Sequence, residues 1–208
     1  MNPIIIINFK TYKQGKEAVE LAKAIEKIDK EIIIGVQASD IYEITKATGL
    51  KVYSQHVDYL EKGRATGFVL PEAVKKDRAT GSFLNHSEHK LSFGVLKKTI
   101  KRCKEVGLKT LVFASSIKEA TRVEKLNPNY LVYEPPELVG GKISVSEAKP
   151  EIIEKLRKQI KMPFLIGAGI HNKEDVKIAL RLGASGIAVS SAICEAKNPE
   201  EKLKDMIS

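Results

Sequence analysis

An α/β chain of eight strand–helix units, closing as a single-domain (β/α)8 barrel, is what these 208 residues predict. Eight short apolar, β-branched runs recur along the chain, and each leads through a polar or glycine-containing turn into a segment of helical periodicity. The runs lack strict in–out alternation, the pattern of parallel strands covered on both faces. No Pro/Gly/Ser-rich linker or shift of composition divides residues 1–208, so they read as one domain. About 26 residues per unit is compact for such a barrel. An open doubly wound sheet would show the same alternation, and periodicity alone does not separate the two.

The predicted strands are residues 4–9, 32–37, 51–57, 79–84, 109–114, 130–134, 163–167 and 186–190. After the first, residues 17–29 carry Val19, Ala22, Ile25 and Ile28, with Leu21, as one apolar stripe of a helix. The third strand is followed only by residues 71–76, opening on Pro71, which permit a short helix. Later helices announce their starts. Ser116-x-x-Glu119 reads as a capping box, Asn172-x-x-Asp175 imitates one, and Asn198-Pro199 sets proline at the first helical position. Ser87 reads as another N-cap, with a helix starting there.

Composition narrows the function. Hydrophobic residues at 43% against 29% charged describe a soluble globular chain. The apolar run at residues 4–7 is far too short to span a bilayer, and no secretory pattern is present, so a cytoplasmic protein without a membrane role is expected. Cys103 and Cys194 stand far apart with no metal-binding spacing, as ordinary reduced thiols do. The net charge is +9, but the basic residues mix with Glu along helical faces and no aromatic residues interleave with them. No block of the chain resembles a nucleic-acid module, so no nucleic-acid partner is expected, and a small anionic ligand is left open.

In a β/α barrel the chemistry sits where the strands end. The first strand ends in Asn8-Phe9-Lys10, the third in Gln55-His56-Val57-Asp58, the fourth in Asn85-His86-Ser87-Glu88 and the sixth in Glu134-Pro135-Pro136. The seventh ends in Gly167-Ala168-Gly169 and the eighth in Ser190-Ser191. An amine, an imidazole and a carboxylate thus stand beside small residues whose backbone N–H groups can approach a phosphate. A base, an electrophile and an anion cradle in one cleft suit proton abstraction next to a carbonyl. His56 and Asp58 read as structural.

These peptides, in this order and spacing, resemble the triosephosphate isomerase family. Asn8-x-Lys10, His86-Ser87-Glu88, Tyr133-Glu134-Pro135-Pro136 and Gly167-Ala168-Gly169-Ile170 carry the resemblance. Asn8 to Tyr12, Gln55 to Asp58, Glu137-Leu138 and Ala148-Lys149-Pro150 resemble its short archaeal branch, and the likeness runs along essentially the whole chain. It implies a TIM barrel that interconverts dihydroxyacetone phosphate and D-glyceraldehyde 3-phosphate in glycolysis and gluconeogenesis, with no cofactor and no metal. By the same resemblance, Glu134 is the catalytic base, neutral His86 polarises the carbonyl, and Lys10 holds the phosphate end and stabilises the enediolate. Asn8 positions Lys10 or the substrate oxygens, and Ser87 and a buried Glu88 support the site. Pro135, Pro136, Gly140, Gly141 and Lys142 form a mobile lid. Gly140 and the backbone around Gly167, Ala168, Gly169, Ser190 and Ser191 bind the phosphate. At least a homodimer is implied, with the loop at residues 63–67, including Thr66, reaching the neighbour; whether two dimers join as a tetramer is left open.

The chain departs from the family pattern in three places. Ser190-Ser191 replace two glycines, His89 stands where Arg is common, and Gly140-Gly141-Lys142 replace alternating glycines. Two other readings fit the composition: a metal-dependent pentose-phosphate epimerase with His56, Asp58 and His86 as ligands, and a basic binding protein without enzymatic activity. The first wants a further carboxylate near the seventh strand end, where Gly167-Ala168-Gly169 offers none.

Overall fold

The computed structural model describes residues 3–135 and 150–208. Its strands are β1 (Ile4–Asn8), β2 (Ile33–Val36), β3 (Lys51–Ser54), β4 (Gly81–Leu84), β5 (Lys109–Ala114), β6 (Tyr130–Tyr133), β7 (Phe164–Ile166) and β8 (Gly186–Val189). All pair in parallel in chain order, and β8 returns to pair with β1 through Ile4↔Gly186 to Ile7↔Val189. The sheet is therefore a closed barrel, and the open doubly wound alternative is removed. Each strand falls inside its predicted run but stops short of it at one or both ends, except β5, which matches. β3 for instance ends at Ser54 because Gln55 to Asp58 turn away into a loop whose base is pinned by the Asp58–Val69 pair.

Two apolar layers hold the barrel. The inner one joins Ile6, Ile33, Tyr53, Phe83, Leu111, Phe113, Val132, Leu165 and Ala188. Gly35 leaves room there for an aromatic ring: a Cβ at this position would stand 1.9 Å from Cε2 of Phe83. The outer layer packs strand side chains such as Ile7, Ile34, Val52 and Val112 against the helices.

The described helices are α1 (Gly15–Glu26), α2 (Ile41–Ala47), α3 (Pro71–Lys76), α4 (Phe93–Val106), α5 (Ile117–Glu124), α6 (Pro150–Gln159), α7 (Lys173–Arg181), α8 (Ser191–Cys194) and α9 (Pro199–Ile207). α1 starts earlier and ends earlier than expected, and its fully buried stripe is Ala18, Leu21, Ala22 and Ile25, with Val19 and Ile28 only partly covered. Asn172 and Asp175 make a complete capping box on α7, and Asn198 caps α9 ahead of Pro199. Ser116 caps α5, but Glu119 does not return the bond to it. That carboxylate accepts instead from the backbone N–H and hydroxyl of Ser115, each at 2.7 Å. No helix begins at Ser87. Residues 87–89 form a tight turn closed by His89 N–H on the His86 carbonyl, and α4 starts at Phe93 with Ser92 as its cap. Among the described residues no helix is long and apolar enough to cross a membrane. Both cysteines are buried and free, and burial pushes each thiol up to about 12.

Candidate active site

Parallel closure brings every strand's carboxyl end to one face of the barrel, so Lys10, His86 and Glu134, just past β1, β4 and β6, arrive together. A cavity of about 120 Å³ is lined by Asn8, Lys10, His86, Glu134, Gly167, Ala168, Gly169, Ser190 and Ser191, all of them singled out from the sequence. Tyr12, Phe113 and His171 also line it.

Glu134 follows the last residue of β6 directly, and Pro135 behind it has no N–H to carry the ladder further. Its own N–H is spent on the Ala114 carbonyl, and its carboxylate is almost wholly buried. Oε2 accepts the Ser87 hydroxyl at 2.9 Å, and Oε1 lies 3.4 Å from Nε2 of His86. The imidazole packs edge-on against Phe113, ring centres 4.7 Å apart. The Glu88 backbone N–H donates to His86 Nδ1 at 3.2 Å. An Nδ1 that accepts carries no proton, which puts a ring hydrogen on Nε2, facing Glu134; the Glu88 carboxylate lies 3.6 Å from the same Nδ1. The sequence pattern placed a helix start at Ser87; the structure instead sets a backbone amide of a turn against the imidazole.

The turn that carries these groups is tied down from behind. Asn85, in the left-handed region at φ 63, donates its amide to the Phe113 carbonyl and to Glu119, and its Oδ1 accepts the Leu91 N–H. Burial pushes the Glu119 carboxyl up, but bonds from Ser115, Asn85 and Lys90 outweigh it and hold it at about 2.

Lys10 also sits in the left-handed region, at φ 45, where non-glycine residues are strained. Two side chains hold it there. Asn8 Oδ1 accepts the Lys10 N–H at 2.9 Å, and the Gln55 amide donates to the Lys10 carbonyl at 2.8 Å. The Lys10 ammonium pairs with Glu88 Oε1 at 2.7 Å. Glu88 is exposed rather than buried as the sequence suggested, because the turn at 87–89 lifts its side chain to the mouth of the cleft. Gly167 serves packing: a Cβ there would meet Val132 Cγ1 at 2.5 Å. Gly169 adopts φ 67, which only glycine takes without strain.

The triosephosphate isomerase family model matches residues 3–208. The chain belongs to the triosephosphate isomerase family. It is 43% identical to the triosephosphate isomerase of Saccharolobus solfataricus over 216 residues, covering 99% of this chain and 95% of that one. It is 40% identical to that of Methanocaldococcus jannaschii, covering 98% of each, and 36% identical to that of Methanosarcina barkeri, covering 99% and 97%.

Against the triosephosphate isomerase pattern, the departures have local consequences. His89, in place of Arg, stacks on His56 with ring centres 4.2 Å apart, and His56 Nε2 pairs with Asp58 at 3.2 Å. Neither gathers a metal: among the described residues no group of three or more His, Cys, Asp or Glu is placed to hold one. Ser190 bonds with its side chain, its hydroxyl donating to the Asn8 carbonyl at 2.7 Å. Pro136, Gly140, Gly141 and Lys142, the rest of the expected lid, lie outside the described residues, while Pro135 is described and buried. The sequence reading assigned no role to Gln55, although its place at a strand end was a signal. It did not single out His171, which follows Gly169-Ile170 and whose buried Nε2 has no hydrogen-bond partner among the described residues.

Proposed function

We propose that this chain interconverts dihydroxyacetone phosphate and D-glyceraldehyde 3-phosphate through an enediolate, in glycolysis and gluconeogenesis. The observation that carries the reading is the facing of His86 Nε2 and Glu134 Oε1 at 3.4 Å beside Lys10, in a chain of this family. Glu134 removes a proton from the carbon beside the carbonyl and returns it to the neighbouring carbon. The proton of the adjacent hydroxyl passes to the former carbonyl oxygen, so that the new carbonyl forms as the old one becomes a hydroxyl. The Nε2–H of His86 donates to the carbonyl oxygen as negative charge gathers there. For that oxygen to reach Nε2–H, Oε1 of the carboxylate has to give way beside the ring. Lys10 supplies a fixed positive charge and is held in register by Asn8 and Gln55. Backbone N–H groups around Gly169, Ser190 and Ser191 hold the phosphate, and Pro135, Pro136, Gly140, Gly141 and Lys142 act as the lid that excludes water. Proton transfer within one substrate consumes no redox equivalent, so the residues named suffice without a cofactor.

The whole of residues 1–208 acts as one domain in the cytoplasm and works as at least a homodimer. The loop after β3 supports that association: Thr66 is exposed, and neighbouring Phe68 is 54% exposed. Light scattering at working concentration tests the association, which a monomeric mass would remove. A coupled assay with dihydroxyacetone phosphate tests the activity. Glu134→Gln is expected to lower kcat by about a thousandfold or more with the fold retained, and an unaltered rate in that variant refutes the base.

A further inference from the structure

We propose that the side-chain hydroxyl of Ser190 is a positioning group, which sets the distance between the loop that binds phosphate and the turn that carries Lys10. The inference rests on the reading of the cleft given above and adds to it a role that backbone donation does not require.

The seam between the last and first strands is where the two halves of the site meet. The β8–β1 ladder ends at Ile7↔Val189, so the carbonyl of Asn8 lies beyond the last pair. The Ser190 hydroxyl takes it at 2.7 Å. The other donor near that carbonyl is the Cys194 thiol at 3.6 Å, a weak one. Asn8 is thereby gripped at both ends: its main-chain carbonyl by Ser190, and its side-chain oxygen by the Lys10 N–H at 2.9 Å and the Gln55 amide at 3.4 Å. Lys10 lies at φ 45, a conformation that persists only while its surroundings enforce it. A continuous path of hydrogen bonds therefore runs from Ser190 through Asn8 to the backbone of Lys10.

A dianion held by the loop after β8 feels the Lys10 charge at a distance set by this path. Fixing that distance before the substrate arrives reduces the ordering cost of binding. The link acts on phosphate binding, so its loss is read in KM and in the inhibition constant of free phosphate. Because Lys10 also faces the developing charge, kcat falls only as far as Lys10 itself is displaced. Two glycines at this loop would keep the backbone donors and lack the link.

The test compares Ser190→Ala, Ser190→Gly and Ser190→Thr with the unaltered chain. It reads kcat and KM for dihydroxyacetone phosphate, competitive inhibition by inorganic phosphate, and thermal midpoint. Loss of the hydroxyl in the Ala and Gly variants is expected to raise KM and the phosphate inhibition constant together, by about three- to tenfold. Thr is expected to restore both. A hydroxyl that merely satisfies a carbonyl at the barrel end would lower the midpoint and leave both constants unchanged; that result overturns the inference, as does a Thr variant behaving like Gly. Should the Ala variant not fold, the Gly and Thr pair decides alone. Activity in the unaltered chain with KM insensitive to these changes removes this inference only, whereas no isomerase activity removes the functional reading as well.

Discussion

Nε2 of His86 and Oε1 of Glu134 stand 3.4 Å apart, both side chains less than a tenth exposed, with Nδ1 of the imidazole capped by the Glu88 N–H. The capped nitrogen leaves one donor, and it points at the carboxylate. A side chain of similar reach but different donor geometry should fail there. His86→Gln is expected to lower kcat by about a hundredfold or more while the thermal midpoint moves little; steady-state kinetics with dihydroxyacetone phosphate reads it, and a loss under threefold would remove His86 from the chemistry.

Gln55 donates to the Lys10 carbonyl at 2.8 Å and lies 3.3 Å from the Gly35 carbonyl. Gln55→Glu keeps the size but sets a carboxylate against these acceptors, so the turn should leave its strained conformation. A fall in kcat/KM of about tenfold or more is expected. If the kinetic constants match those of the unaltered enzyme, Gln55 does not hold Lys10.

Glu119 is held at about 2 against an ordinary 4.5, so the folded state favours its charged form over the unfolded one. The sign follows: the stabilisation is complete above the ordinary value and disappears as pH falls through that interval toward the folded one. Glu119→Gln should lower stability near neutral pH by about 1–3 kcal/mol, kept small because the group is partly exposed. Urea midpoints across the acid range should fall less steeply for the variant. Parallel acid limbs would contradict this.

Gly35→Ala places a methyl group 1.9 Å from the Phe83 ring inside the barrel. Overpacking of this kind is expected to cost about 3 kcal/mol, read as a drop in the urea midpoint. An unchanged midpoint would mean that the inner layer relaxes freely.

Treatment with a strong chelator should leave the isomerase rate as it was, because proton transfer between two carbons of one substrate needs only the groups named here. Loss of activity restored by a divalent cation would favour the epimerase-like alternative.

The number of strands and the polar residues that interrupt each apolar run were legible in the chain, because parallel strands need continuous apolar runs and polar residues interrupt them only where the strand leaves the core. Lys10, His86 and Glu134 could therefore be named as a set before any contact was known. Closure of the sheet was not legible from periodicity: it depends on β8 pairing with β1, a contact between the ends of the chain that no local pattern encodes. Loop geometry was misread where it mattered. Ser87 has the composition of an N-cap, yet its hydroxyl is spent on Glu134 and the helix waits for Ser92. The strand-end place of Gln55 is a signal, but the partners of Gln55 and of the Ser190 hydroxyl are backbone atoms far away in sequence, which no local pattern names. Local chemistry determined which residues face the mouth of the barrel; only three-dimensional packing decided which of their atoms meet, because a hydrogen bond depends on distances of a few tenths of an ångström that the whole fold sets.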